Sequence, residues 1–266
     1  PLLLPFEENS TVVTMGKSTS NIIRAKRMIG GNGGSIGAIL TNRIFDNAGD
    51  MTTAGLDFHL HPGSNIHITL HGTTSIHNES DNFEYIYDQS TNDYSSTFDN
   101  GRYTKTFDGE KITGNALGFA INYRDRTDDY GVVLRLRSPG FRTSNGFEKN
   151  NSTKWLKAGR GKTVYYDNHP KLLKTKYNIE TVYKTNYTGV IKKQELSLST
   201  SSDLKNGDFF KLSGELEKEN FRGIQFDNLY EFEFGYRNQI NSSLKVYNEL
   251  QSRKIIVRNL DNPRSS

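Results

Sequence analysis

The sequence predicts an all-β protein: an antiparallel, up-and-down transmembrane β-barrel of about 12–16 strands with no significant helix, forming one domain over residues 1–266. Three observations predict it. Segment after segment alternates apolar and polar residues with a period of two, which sends the two kinds to opposite faces of an extended chain. The average is polar, with 33% hydrophobic residues and a mean hydropathy of −0.69, yet there are 14 Tyr and 15 Phe. A barrel with a wet interior tolerates that combination, because half of every strand can be polar. Short links also tend to alternate with longer ones, as turns and loops do at the two rims of such a barrel.

The candidate strands lie near 10–16, 20–29, 34–45, 50–61, 65–77, 110–124, 130–138, 153–167, 170–187, 190–202, 208–220, 229–240 and 244–258. Ile66, Ile68 and Leu70 alternate with His67, Thr69 and His71. Leu117, Phe119, Ile121 and Tyr123 alternate with Gly118, Ala120, Asn122 and Arg124. Segment 170–187 sets Leu173, Thr175, Tyr177, Ile179, Thr181 and Tyr183 against Lys174, Lys176, Asn178, Glu180 and Lys184. Phe210, Leu212 and Leu216 oppose Lys211, Ser213, Glu215 and Glu217. Short links fall at 30–34, 62–65, 126–129, 168–170, 203–208 and 241–243, and longer ones at 78–109, 139–152 and 221–228. The link 186–189 is short where the alternation expects a long one.

The apolar face must then be assigned a medium. About eight strands already give a barrel that side chains just fill, so a single barrel of about 13 strands cannot have an apolar filled core. Its apolar face points outward. The expected lipid-facing residues are Tyr230, Phe232, Phe234, Tyr236, Tyr177 and Ile179, and the expected lumen-facing residues are Glu231, Glu233, Arg237, Lys174, Lys176 and Glu180. In 229–240 two Phe lie between two Tyr, an apolar centre with amphipathic ends, as suits residues approaching the two interfaces of a bilayer. The alternative is a soluble β-sandwich binding protein, in which the same faces turn inward against a second sheet.

Composition narrows the function classes. Net charge is +4 and the pI about 9.0, but Arg24, Lys26, Arg135, Arg137, Lys174, Lys176, Lys192 and Lys193 are scattered, so no nucleic-acid partner is expected. The absence of cysteine excludes disulfides and thiolate metal sites. No apolar run approaches the roughly 20 residues of a membrane helix. The stretch "PLLLPFEENS" has no Met and no basic region, so it is not an intact signal peptide, and the chain is expected to be a processed or excised piece of something longer. "GNGGSIG" (31–37) is preceded by a basic strand and followed by another strand, which reads as a glycine turn and not as a nucleotide loop. There is no G-x-S-x-G, H-E-x-x-H or phosphate-binding loop. No enzyme activity, catalytic residue or cofactor is therefore expected.

Three segments carry candidate binding chemistry. Five of six histidines lie at 59, 61, 67, 71 and 77. A hairpin of 50–61 with 65–77 that keeps Leu60 beside Ile68 pairs His61 with His67, His59 with Thr69 and Asp57 with His71. His59, His61, His67 and His71 are the metal candidates, since imidazoles with a carboxylate suit Zn, Ni or Cu; the competing reading is a polar wet wall. The long loop 77–110 is rich in Asn, Asp, Tyr and Phe. Its Tyr85, Tyr87, Tyr94, Phe98 and Tyr103 are candidates for stacking on sugars, and its Asp and Asn for holding Ca²⁺. The competing reading is a solvated surface loop, with or without an extra hairpin. In "SPGFRTSNGFEKNN" (138–151), Phe141 and Phe147 are expected to anchor the segment at the barrel rim and Arg142 to reach a carboxylate or a lipid phosphate.

Two of these stretches carry a resemblance. "SNIIRAKRMIGGNGGSIGAILTNR" (20–43) with "GLDFHL" (55–60), and "YGVVLRLRSPGFRTSNGFEKNN" (130–151), resemble the C-terminal barrel region of the DUF5916 family of Bacteroidota outer-membrane proteins. The resemblance covers roughly a quarter of the chain. It implies a barrel in a bacterial outer membrane and no established chemistry. The carbohydrate-binding module often found in that family is absent here, and "LDNPRSS" lacks a terminal aromatic residue. The functional expectation is a channel or transport barrel with a polar lumen; the alternative is a structural or glycan-binding barrel of a surface complex. The expected partners are outer-membrane lipid and, for the alternative, other surface-complex subunits or glycans.

Overall fold

The computed structural model describes all residues except 1, 8, 15, 47–48, 87–95, 146–149, 242, 259–263 and 266, and only the backbone of 6, 9, 11 and 82–86. Among the described residues every regular element is a strand. In chain order these are β1 Leu2–Phe6, β2 Asn9–Val13, β3 Ser18–Ile29, β4 Gly34–Phe45, β5 Gly49–Leu60, β6 Ile66–Glu79, β7 Asp81–Ile86, β8 Thr97–Phe98, β9 Tyr103–Thr104 and β10 Thr106–Asp108. They continue with β11 Lys111–Arg124, β12 Asp128–Arg137, β13 Thr153–Tyr165, β14 Leu172–Asn186, β15 Ile191–Leu204, β16 Phe209–Phe221, β17 Ile224–Gln239, β18 Lys245–Lys254, β19 Ile256–Val257 and β20 Arg264–Ser265.

Twelve strands form one sheet in the order β18-β17-β16-β15-β14-β13-β12-β11-β6-β5-β4-β3. Strand follows strand, broken only where the small pairs β7–β10 and β8–β9 are inserted, which is the up-and-down antiparallel meander the alternation predicts. Its strands run from 10 residues (β12) to 16 (β17), at or beyond the upper end of the usual 3–10 of globular proteins. Among the described residues β3 and β18 are free edges, so the sheet is not closed into a barrel.

Three expected boundaries are corrected. The candidate strand 10–16 is β2, which pairs with β1 in a separate hairpin, Leu2 opposite Val13 and Leu4 opposite Thr11. Removing it from the main sheet turns thirteen candidates into an even twelve. The long link expected at 221–228 is strand: β16 and β17 meet in a two-residue turn at Arg222 and Gly223, both at positive φ (54° and 79°). Positive φ at both central positions matches the type I′ geometry that joins twisted strands. The candidate strand 244–258 ends at Lys254, and Ile256–Val257 pairs instead with Arg264–Ser265.

The described chain divides into two compact units. The first comprises Pro1–Ala120, Leu134–Trp155 and Asn186–Val190, and the second Ile121–Val133, Leu156–Thr185 and Ile191–Ser266. In the first, the polar face of β4–β6 is the buried one. Ser35, Thr41, Thr53 and Ser75 are buried there, while Leu40, Ile44 and Leu56 on the opposite face are exposed. The buried face is covered at one end by the β1–β2 hairpin: Leu2, Leu4, Val13, Phe45, Met51 and Phe107 form a core cluster. Asn151 ties that hairpin down. Its side chain accepts from Glu7 N (2.7 Å) and donates to the carbonyls of Pro5 (2.8 Å) and Pro139. The segment at 138–141 lies flat on β11 because two glycines face each other. A Cβ on Gly114 would come within 2.1 Å of Phe141 N, and one on Gly140 within 2.2 Å of Thr113 O.

In the second unit, register fixes both faces. Tyr230, Phe232, Phe234 and Tyr236 stand opposite Leu216, Gly214, Leu212 and Phe210, which stand opposite Leu196, Leu198, Thr200 and Ser202. Leu198 and Thr200 in turn oppose Ile179 and Tyr177. Directly opposed residues share a face, so a single apolar surface runs across four strands, β14 to β17. The other face carries Lys174, Lys176, Glu180, Glu195, Lys211, Glu215, Glu217, Glu231, Glu233 and Arg237.

Candidate functional site

The charged face of the second unit is the more protected one. Side chains of Glu195, Glu217, Glu219 and Glu233 are only 12–16% exposed, whereas Phe232, Leu198, Leu212 and Leu216 on the apolar face are 50–57% exposed. The charges are paired across strands. Lys211 Nζ meets Glu233 at 2.7 Å, Lys174 meets Asp203 at 3.1 Å, and Lys157 meets Glu180 at 2.6 Å. Lys193 bridges Glu195 (2.7 Å) and Glu217 (3.2 Å). Arg258 grips Glu219 through both of its terminal nitrogens, at 2.6 and 2.8 Å. Glu215, Glu217, Glu219, Glu231, Lys254 and Arg258 line part of a cavity of about 240 Å³. Next to it Phe226, Leu229 and Ile256 form a small apolar cluster on the same face. The six residues expected to face lipid therefore share the exposed apolar face, and the six expected to face the lumen share the charged one.

In the first unit a second polar group is fully buried. Ser75, His77 and Glu79 alternate on the inner face at the end of β6, and all three hold Arg142 from the loop 138–152. Arg142 N donates to Ser75 Oγ (3.1 Å), and its Nη1 reaches His77 Nδ1 (3.1 Å) and Glu79 Oε1 (3.2 Å). A guanidinium can only donate, so His77 Nδ1 accepts and the ring is the neutral tautomer with its proton on Nε2. Burial lowers the Arg142 guanidinium to about 10 against the opposing pull of Glu79 and Glu110, so it stays charged at neutral pH. Of the two partners expected for Arg142, the structure supplies the carboxylate. Glu79 and His77 were not among the candidate site residues. The sequence signals were the alternation Ser75-x-His77-x-Glu79 at the end of a strand and, for His77, its place as the last of the five clustered histidines.

The histidine hairpin has the expected register: His59 opposes Thr69, Asp57 opposes His71, and the rings of His61 and His67 meet edge-on at 4.6 Å between centroids. His59 Nε2 lies 3.7 Å from Asp57 Oδ2, and Arg24 also reaches Asp57 at 3.2 Å. His71 lies over Gly118, where a Cβ would come within 1.9 Å of the ring. Of the four candidates only His61 and His67 are in ring contact with each other, while His59 lies beside Asp57 and His71 lies over Gly118. Among the described residues, the groups of three potential metal ligands within 4.8 Å contain no histidine; they are Glu79, Asp108 and Glu110, and Glu195, Glu215 and Glu217.

Of the loop candidates, Tyr87 and Tyr94 lie outside the described residues, as does the rim residue Phe147, and Tyr85 is described only by its backbone in β7. Tyr103 is buried, its ring 5.3 Å from that of Phe98 and its hydroxyl 3.3 Å from Thr113 N, which donates to it. The described part of 77–110 is thus folded into small hairpins, β7 with β10 and β8 with β9, and Phe107 from it enters the core cluster. Phe141 is buried at 4% exposure, as an anchor would be.

Comparison with family models, with curated proteins and with solved structures finds no match.

Proposed function

We propose that this chain forms the wall of a bacterial outer-membrane β-barrel that serves as a channel or transport barrel with a polar lumen. The observation that carries the reading is the inverted burial. A contiguous surface of Ile179, Leu198, Leu212, Leu216, Phe232 and Phe234 is exposed while the charged face behind it is half-buried and ion-paired. Exposed apolar patches of that extent are rare on soluble monomers, and lipid is a medium that covers them without a second sheet. Long antiparallel strands suit the role, since about 9–11 tilted residues cross the hydrocarbon and the remainder projects beyond it. In this reading the ion-paired ladder of β14–β17 lines the lumen. Closure requires both free edges, β3 and β18, to gain strand partners. The likeness of 20–43 and 130–151 to the DUF5916 barrel region belongs to this proposal and rests on those motifs alone.

The test is electrophoretic. The protein purified in detergent is expected to migrate faster unheated than boiled, because a closed barrel resists the denaturant, and to conduct ions in planar bilayers. A protein that stays monodisperse without detergent and shows one migration state overturns the reading.

A further inference from the structure

The group Glu79, Asp108 and Glu110 is organised beyond what chance proximity of acids provides. One carboxylate oxygen of each lies within 4.8 Å of the others. An all-oxygen set of carboxylates is the donor chemistry of a hard divalent cation, and calcium accepts it in irregular, flexible geometry where magnesium demands a near-ideal octahedron and keeps several waters.

Each carboxylate is held by one of its oxygens. Thr104 Oγ1 donates to Asp108 Oδ2 (2.9 Å), Thr104 N donates to Glu110 Oε2 (2.9 Å), and Arg142 Nη1 donates to Glu79 Oε1 (3.2 Å). The backbone is held too: Glu79 N donates to Glu110 O at 3.0 Å. The second oxygens of Glu79 and Asp108 are buried and accept no hydrogen bond. The Glu79 side chain is entirely buried, with 0% exposure. A buried carboxylate oxygen without a donor loses its hydration and gains nothing in return, so such atoms call for a ligand.

Arg142 sets one guanidinium against these three carboxyl groups. The second acidic group differs. Between Glu195 and Glu217 a lysine ammonium already occupies the position a cation would take, 2.7 and 3.2 Å from the two.

We propose that Glu79, Asp108 and Glu110 bind one calcium ion, with water completing its oxygen shell. The site ties the end of β6 to β10 and to the residue before β11, so the ion fixes these elements to one another. This does not depend on the barrel reading, because a soluble protein with these contacts binds equally and migration on a gel is unaffected by it.

The experiment is calorimetric titration of the chelator-stripped full chain with CaCl₂. We expect one ion per chain, a higher melting temperature with calcium, and binding of Mg²⁺ at least tenfold weaker. Asp108→Asn and Glu110→Gln are expected to lower calcium affinity at least tenfold each while the far-ultraviolet β signal is kept. Terbium supplies a second readout on the unmutated site: calcium should displace its tyrosine-sensitised emission, and Tyr103→Phe should remove most of that emission. No calcium uptake by the wild type, unchanged affinity in both folded variants, or magnesium bound as tightly overturns the proposal. Should neither variant fold, terbium emission that calcium does not displace overturns it.

Discussion

Asn151 shows how much one side chain can organise. It is 1% exposed and makes three hydrogen bonds, to Glu7 N and to the carbonyls of Pro5 and Pro139, so it joins the β1–β2 hairpin to the loop 138–152. Asn151→Ala should destabilise the first unit by about 2–4 kcal/mol, because three bonds of about 1 kcal/mol are lost and buried backbone groups are left without partners. Urea unfolding of the two proteins in the same detergent measures it. Asp125 works at the surface. Its carboxylate accepts from Tyr123 Oη, Thr127 N and Asp128 N, each at 2.7 Å, closing the turn between β11 and β12. Those bonds, the Tyr123 hydroxyl first, hold it down at about 2. A folded value below the unfolded one of about 3.9 means that the turn is stabilised above about pH 3.9 and loses that support as the pH falls toward 2. Carbon-detected NMR titration should give a midpoint near 2 for Asp125, and Tyr123→Phe should move it up.

At the scale of the element, β17 carries the sharpest test. Phe234 and Glu233 are adjacent in sequence and face opposite ways, Phe234 against Leu212 and Glu233 against Ser213 and Lys211. If the apolar face meets lipid, Phe234→Arg should cost about 2–4 kcal/mol near the bilayer midplane and impair insertion. Glu233→Arg leaves a charge in the wet interior and should cost less, the loss being that of the Lys211 pair. Folding yields into lipid vesicles compare the two, and equal effects would return β17 to an ordinary protein core. The alternation of β17 was legible because its period is two and its residue types are extreme. The start of β17 was not. "GIQFDNLY" carries polar residues and a positive-φ Asn228 (57°), and the register slips between Glu217 and Glu219, so the strand continues through a bulge that breaks the alternation.

For the whole molecule, the consequential feature is what lies on the inner face. The β1–β2 hairpin, Phe107 and Arg142 fill the polar side of the first unit. Deleting residues 1–14 should therefore raise single-channel conductance severalfold if the barrel reading holds, and planar-bilayer recording of both proteins reads the ratio. An unchanged conductance would mean that the hairpin does not obstruct the path.

From the amino-acid sequence alone come the all-β class, the antiparallel meander, the two faces of β14–β17 and the register of the histidine hairpin. All of these are consequences of local alternation, which each strand carries within itself. Tertiary structure decided the rest. Leu2, Leu4 and Val13 look like any short apolar run until Phe45 and Met51 are brought to them, and Arg142 has no reason to sit on Glu79 until two segments 63 residues apart meet. The outward turn of the apolar face was expected from the number of strands, but how far the glutamates are shielded was not: packing and cross-strand pairing leave Glu195 and Glu217 largely covered while Leu198, Leu212 and Phe232 stay exposed.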